Sequence, residues 1–277
     1  MYKLLAINID KTLLNDRKEI TKEVNEAIQA AKRKGVKVVI CTGRPIGGVH
    51  GFIEELDLHN EFVITFNGAL VQHSETKEVL LEKSLTHEDL MTLYKVSQEL
   101  ETSMHFSDSQ SIYTPNKDIS PYTVLESFVN SVPLHYREME EVPSDILIPK
   151  VMFAGDPERL DETIASIPIE LKGKYTMVRS TPYFYEILHP SVSKGNAVKL
   201  LVEKLGIARE EVICIGDGEN DLTMIEYAGC GVAMANAVPT VKEIAQFHTH
   251  SNNEHGVAYA IEQLILNNSA KNAVVKQ

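Results

Sequence analysis

Lys3-Leu4-Leu5-Ala6-Ile7-Asn8-Ile9-Asp10-Lys11-Thr12-Leu13 passes from nearly continuous apolar residues into a polar turn. An apolar run of this kind, from Lys3 to Ile9, is the pattern of a strand buried on both faces of a parallel sheet. Strand alternation sends the side chains of residues 8 and 10 to one side, and a tight turn after them leaves backbone amides free to meet an anion. Next along the chain, Val24, Ala27, Ile28 and Ala31 recur at helical spacing between Thr21, a capping residue, and Gly35, a terminator. Val36 to Cys41 repeats the buried-strand pattern, and Thr42-Gly43-Arg44-Pro45 turns the chain. Val49 to Leu56 reads as a helix, and Phe62 to Thr65 as a third strand closed by Asn67-Gly68. The alternation predicts an α/β fold, a doubly wound, Rossmann-like parallel sheet with ligand sites at the carboxyl ends of its strands.

The texture changes near Leu81. Helical stretches, Glu88 to Leu100 and Pro157 to Ile167, are separated by alternating β-like pieces, Ser111 to Thr114, Ile148 to Phe153 and Tyr183 to Leu188. After His189 the first texture returns, with helices over Lys194 to Leu205, Leu222 to Ala228, Val238 to Ala245 and Val257 to Leu266, and strands over Glu211 to Ile215 and Gly231 to Met234. The expected organisation is a core domain in two parts, 1–82 and 189–277, interrupted by an inserted α+β domain, 83–188. The polar end from Asn267 to Gln277 is expected to fray.

The 277 residues leave room for two domains, and 43% hydrophobic with 24% charged residues is ordinary globular composition. A formal net charge of -12 without a long basic run repels nucleic acid and anionic membranes, so neither is expected as a partner. A small anion can still bind where backbone amides and one lysine converge. Cys41, Cys214 and Cys230 lie in apolar or glycine-rich stretches without metal-type spacing, so buried thiols are expected. No run is long enough to span a bilayer and the opening residues lack signal-peptide features, so the expectation is a cytoplasmic protein.

Four segments at predicted strand ends or helix starts supply what phosphoryl transfer needs. They are Asn8-Ile9-Asp10-Lys11-Thr12, Thr42-Gly43-Arg44, Ser193-Lys194-Gly195 and Gly216-Asp217-Gly218-Glu219-Asn220-Asp221. Each alone is a common turn, and their order is what carries weight. In that order, with an insert between the second and third, the chain resembles the haloacid dehalogenase superfamily, in its Cof-type, C2-cap branch (subclass IIB). The resemblance implies a Mg²⁺-dependent phosphatase acting on small phosphorylated metabolites, often sugar phosphates, under a cap that selects the leaving group. It places the nucleophile at position 8, the general acid and base at Asp10 and the charge-neutralising lysine at Lys194. Ile9, Thr42, Gly43, Arg44, Lys194 and Asn220 would hold phosphate, and Asn8, Asp10, Asp217 and Asp221 the metal site, with Asp221 in support.

The first motif departs from the family pattern twice. Position 8 is Asn where the family has its nucleophilic Asp, and position 11 is Lys where Gly is usual. An amide has no anionic oxygen, so it cannot form an aspartyl phosphate, and it is a poorer Mg²⁺ ligand. Together the two changes make the loop two charges more positive, so the Lys11 ammonium is a candidate stand-in for the metal, set against the commoner arrangement in which a lysine head points to solvent. A non-catalytic phospho-ligand-binding protein on the same scaffold is the alternative function. A receiver-type domain would also be doubly wound, but it has no place for Lys194, the Gly216–Asp221 segment or the insert. His248, His250 and His255 lack metal-site spacing and read as surface residues, as do Asp16, Glu19 and Glu23. Glu186 reads equally as a substrate contact or a structural group.

Overall fold

The computed structural model describes residues 1–267, so the fraying expected beyond Asn267 lies outside the described residues. Fourteen strands among them form two sheets. In chain order they are β1 (Leu4–Ile7), β2 (Lys37–Cys41), β3 (Phe62–Thr65), β4 (Leu70–His73), β5 (Val79–Glu82), β6 (Ser103–Ser107), β7 (Ile112–Thr114), β8 (Leu134–Tyr136), β9 (Lys150–Ala154), β10 (Thr176–Thr181), β11 (Phe184–Leu188), β12 (Val212–Gly216), β13 (Cys230–Ala233) and β14 (Phe247–His248).

The larger sheet runs β14-β13-β12-β1-β2-β3-β4-β5. Its first six strands are parallel, as the alternating sequence requires, and β4 and β5 add an antiparallel edge. β1 sits at the centre with every residue buried, because helices cover both faces and a continuous apolar strand is the only kind that fits between them. The flanking helix Lys22–Arg33 buries Val24, Ala27, Ile28 and Ala31, the residues whose spacing predicted it. Thr21 caps it through the Val24 N–H, and Gly35 ends it at φ +80°, a conformation that costs glycine nothing.

The second sheet runs β10-β11-β9-β6-β7-β8 and is antiparallel except where β7 meets β8. Helices His87–Glu99 and Pro157–Ser166 start as their sequences indicate, the first in a capping box between Thr86 and Asp89, the second with Asp156 capping before Pro157. This sheet has its own core, including Leu90, Phe106, Val151, Phe153 and Ile187.

Several expectations are corrected here. β1 stops at Ile7 rather than Ile9, because residues 9–13 wrap into one wide turn closed by Leu13 N–H to the Asn8 carbonyl and Leu14 N–H to the Ile9 carbonyl. The last predicted helix becomes Gly256–Ile261 followed by a wider turn at Glu262–Leu266. The β4–β5 edge, β6, β8, β10 and the helix Pro121–Asn130 had no sequence expectation. Among the described residues no helix is long and apolar enough to cross a membrane.

Candidate active site

Parallel pairing sets Ile7 level with Ile40 on one side and Ile215 on the other, so the loops after β1, β2 and β12 emerge at one rim. Lys194 reaches the same rim from the first turn of the helix Lys194–Lys204, capped by Ser193. That helix lies so close to its neighbour that a Cβ on Gly195 would stand 2.3 Å from the Thr223 carbonyl oxygen, so only glycine fits. The four sequence segments therefore converge.

Asn8 is 7% exposed and stands at the centre. Its Nδ2 donates to the Asp10 carbonyl (2.9 Å) and to Asp217 Oδ1 (3.0 Å), while its Oδ1 accepts from Lys194 Nζ (2.9 Å). An amide's O and N are assigned from their partners. Here the opposite assignment would set NH₂ against an ammonium and oxygen against two acceptors, so the partners fix the orientation. Thr12 Oγ1 adds a second donor to Asp217 Oδ1 at 2.6 Å.

Lys194 and Asp221 form an ion pair at 2.6 Å with both side chains fully buried. The remaining Asp221 oxygen accepts from the backbone N–H of Asp217 (2.8 Å) and Gly218 (3.0 Å). Asp221 thus locks the loop and the lysine. Burial, the largest single influence, would lower Lys194, but the Asp221 charge and hydrogen bond, with the neighbouring Cys41 and Asp217, together outweigh it and hold the ammonium above the usual lysine range. Burial and the same Asp221 charge raise Asp217, against the hydrogen bonds from Thr12 and Asn8.

Asn8 bonds the Asp10 backbone, whereas the Asp10 carboxylate is bound by two cations. Arg44 grips it with two bonds, Nε to Oδ2 and Nη2 to Oδ1, each 2.8 Å, and Lys18 adds a third at 2.9 Å. Burial would raise this group, yet Arg44 and then Lys18 hold it down at about 2. The Arg44 guanidinium also lies over the Phe52 ring, 5.4 Å from its centre. Ile9 is fully buried, so only its backbone can face a ligand. Thr42 is buried and its Oγ1 accepts from the Arg44 N–H at 3.2 Å, which shapes the Thr42–Gly43–Arg44 turn. Asn220 Nδ2 donates to Asn67 Oδ1 at 3.0 Å, and Asn67 Nδ2 to Glu186 Oε2 at 2.8 Å. Glu186 is buried beside Lys150, at 3.4 Å, so it is tied into the junction between the sheets.

Lys18, Lys150 and Glu126 were missed by sequence reasoning. Lys150 had a signal, since a lysine opening the apolar strand Lys150–Ala154 is a buried charge that needs partners. Lys18 had none. Cys41, Cys214 and Cys230 are free and buried as expected, and burial pushes the Cys41 thiol up to about 12. His248 and His250 are exposed, whereas His255 is only partly so and bonds Thr21. Asp16, Glu19 and Glu23 are exposed, although Asp16 also accepts from Asn252 and Asn253.

Superfamily phosphotransferases generally use Mg²⁺. Mg²⁺ wants several hard oxygens in octahedral order. The gap between the Asp10 carbonyl and Asp217 Oδ1 instead receives N–H donors from Asn8. Among the described residues no three His, Cys, Asp or Glu side chains converge as a metal site. The residues as arranged do not fit the ion.

The haloacid dehalogenase-like hydrolase family matches this chain over residues 5–261. YxeH of Bacillus subtilis is 62% identical over 268 residues, 96% of this chain and 99% of its own. A haloacid dehalogenase-like hydrolase from Bacteroides thetaiotaomicron superposes with a TM-score of 0.84 at 36% identity, covering 96% of this chain and all of that one. The subclass IIB sugar phosphatase BT4131 superposes with a TM-score of 0.80 at 26% identity over 94% and 98% of the two chains. With its four loops gathered at one rim as well, this chain belongs to the haloacid dehalogenase-like hydrolases and is, by that kinship, a phosphoric monoester hydrolase.

Proposed function

We propose that the rim receives the phosphoryl group of a small phosphorylated metabolite, a sugar phosphate foremost, and that Asn8 impairs the aspartyl-phosphate chemistry the family performs there. The observation that carries this reading is the bonding of Asn8 to both Lys194 and Asp217, which joins the first, third and fourth motifs around one point. Thr42, Gly43, Lys194 and Asn220 make the phosphate cradle, and Asp10, held ionised by Arg44, waits beside it. Residues 83–188 act as a cap over the two core parts, 1–82 and 189–277, and select the leaving group. Mg²⁺ use belongs to the form of this site that has Asp at position 8. The three buried thiols support a cytoplasmic setting.

A second reading, a phospho-ligand-binding protein without turnover, is favoured by the amide itself, which offers no anionic oxygen to attack phosphorus. Hydrolysis of an aryl phosphate in Mg²⁺, by this chain and by a variant carrying Asn8→Asp with Lys11→Gly, separates the two. The enzyme reading expects the double variant to be faster by orders of magnitude, as when a nucleophile is restored. Equal background rates from two folded proteins would overturn it.

A further inference from the structure

We propose that the Asn8 amide takes both the place and the structural task of a divalent cation, so that the loops assemble, and an oxyanion binds, without one. The oxyanion half of this inference rests on the phosphoryl-binding reading above, whereas the cation half stands on geometry alone.

Asn8 Nδ2 bridges the Asp10 carbonyl and Asp217 Oδ1, two oxygens from loops distant in sequence. Bringing two such acceptors together is a task for a positive centre, and the polarised N–H bonds of the amide supply one. Lys194 holds the other end of the amide, so the donors cannot turn away without opposing NH₂ to an ammonium. Residue 8 is thus clamped in its role by a buried ion pair, Lys194 with Asp221.

The charge balance agrees. Three carboxylates, Asp10, Asp217 and Asp221, are in contact, directly or through one another's partners, with three cations, Lys18, Arg44 and Lys194. The set is neutral as it stands. An Asp at position 8 would instead put one uncompensated negative charge beside Asp217, which favours a cation between the two carboxylates. Of the two sequence readings of Lys11, a stand-in ammonium or a head in solvent, the structure shows the second, for Lys11 is exposed and has no ion pair among the described residues, so the geometry assigns the role to Asn8.

Three measurements on full-length protein test this. Mn²⁺ titrated against the chain and against Asn8→Asp, followed by electron paramagnetic resonance, should show binding to the variant at least about tenfold tighter. Thermal unfolding of the unaltered chain should be the same in chelator and in Mg²⁺. Inorganic phosphate, titrated by calorimetry, should bind the unaltered chain with the same affinity in both buffers. Equal Mn²⁺ affinity of the two proteins, or no site in either, would overturn the proposal, as would phosphate binding that appears only with Mg²⁺. Should the variant not fold, the chelator comparison on the unaltered chain decides alone. Phosphate binding in neither buffer would defeat the phosphoryl-binding reading and the oxyanion half, while the Mn²⁺ titration still judges the cation half.

Discussion

Lys150 Nζ, at the start of β9 in the second sheet, lies 3.3 Å from the carbonyl oxygen of Gly43 at the rim of the first. The same ammonium meets Glu126 at 3.2 Å and Glu186 at 3.4 Å, and all three side chains are buried. Burial alone would lower this lysine, but the two carboxylates, Glu186 ahead of Glu126, outweigh it and keep the group above its usual range. Through Glu186 the cluster reaches Asn67 and then Asn220, so a continuous polar chain runs from β9 to the fourth motif.

Removing the lysine alone should therefore cost more than removing a surface ion pair. Lys150→Met leaves two carboxylates buried with no cation, a loss of about 3–5 kcal/mol for a broken buried pair. Equilibrium unfolding in urea measures it, and a loss below about 1 kcal/mol, the scale of an exposed pair, would contradict the burial argument.

Lys194→Met should be at least as damaging, since it strands Asp221 at zero exposure and leaves Asn8 Oδ1 without its donor. About 3–5 kcal/mol is again expected. The companion change Asp221→Asn together with Lys194→Met should recover part of it, because a neutral amide keeps a bond from the Asp217 and Gly218 N–H groups without a buried charge. A double variant no more stable than the single one would refute this.

His105 gives the protein an acid-sensitive element outside the rim. Burial first, and the Lys150 charge second, lower it to about 3, while its Nδ1 is bonded to Thr123 Oγ1 at 3.0 Å. Native His105 is neutral, whereas the unfolded chain takes up a proton below its ordinary value near 6.5. The contribution to stability is thus complete above that value and is lost as pH falls from there towards about 3. Melting temperatures at neutral pH and at mildly acid pH should differ less for His105→Gln than for the unaltered chain. Equal differences would show that this ring does not set the acid response.

The parts of the molecule legible in the sequence are those where one local signal decides the outcome. β1 and the helix Lys22–Arg33 are read from apolar periodicity and a cap, and the four motif loops from their order along the chain. What escaped depends on partners distant in sequence. The antiparallel edge of β4 and β5 and the strands β8 and β10 are short or half-exposed, and the buried strand β6 interleaves Ser103, His105 and Ser107 with its apolar residues, so no continuous apolar run marks it. The grip of Arg44 and Lys18 on Asp10 joins residues through side-chain reach, which no spacing rule encodes. The direction of the Asn8 amide follows only once Lys194 is known to lie behind it.

Lys11 illustrates the same limit and yields the last prediction. The wide turn after β1 places it at φ 58°, in the left-handed region, with its carbonyl bonded to Asn236 Nδ2 at 2.8 Å. A side chain there costs about 1–2 kcal/mol, whereas glycine pays no steric cost, which explains why glycine suits this position. Glycine also gains freedom in the unfolded chain, so Lys11→Gly should stabilise the protein by only about 0.5–1 kcal/mol. Lys11→Ala keeps the Cβ, and with it the strain, while losing the lysine charge. If strain is the cause, the Gly variant should therefore be more stable than the Ala variant by about 1 kcal/mol in urea unfolding. Were the Ala and Gly variants equally stable, charge rather than backbone conformation would govern position 11.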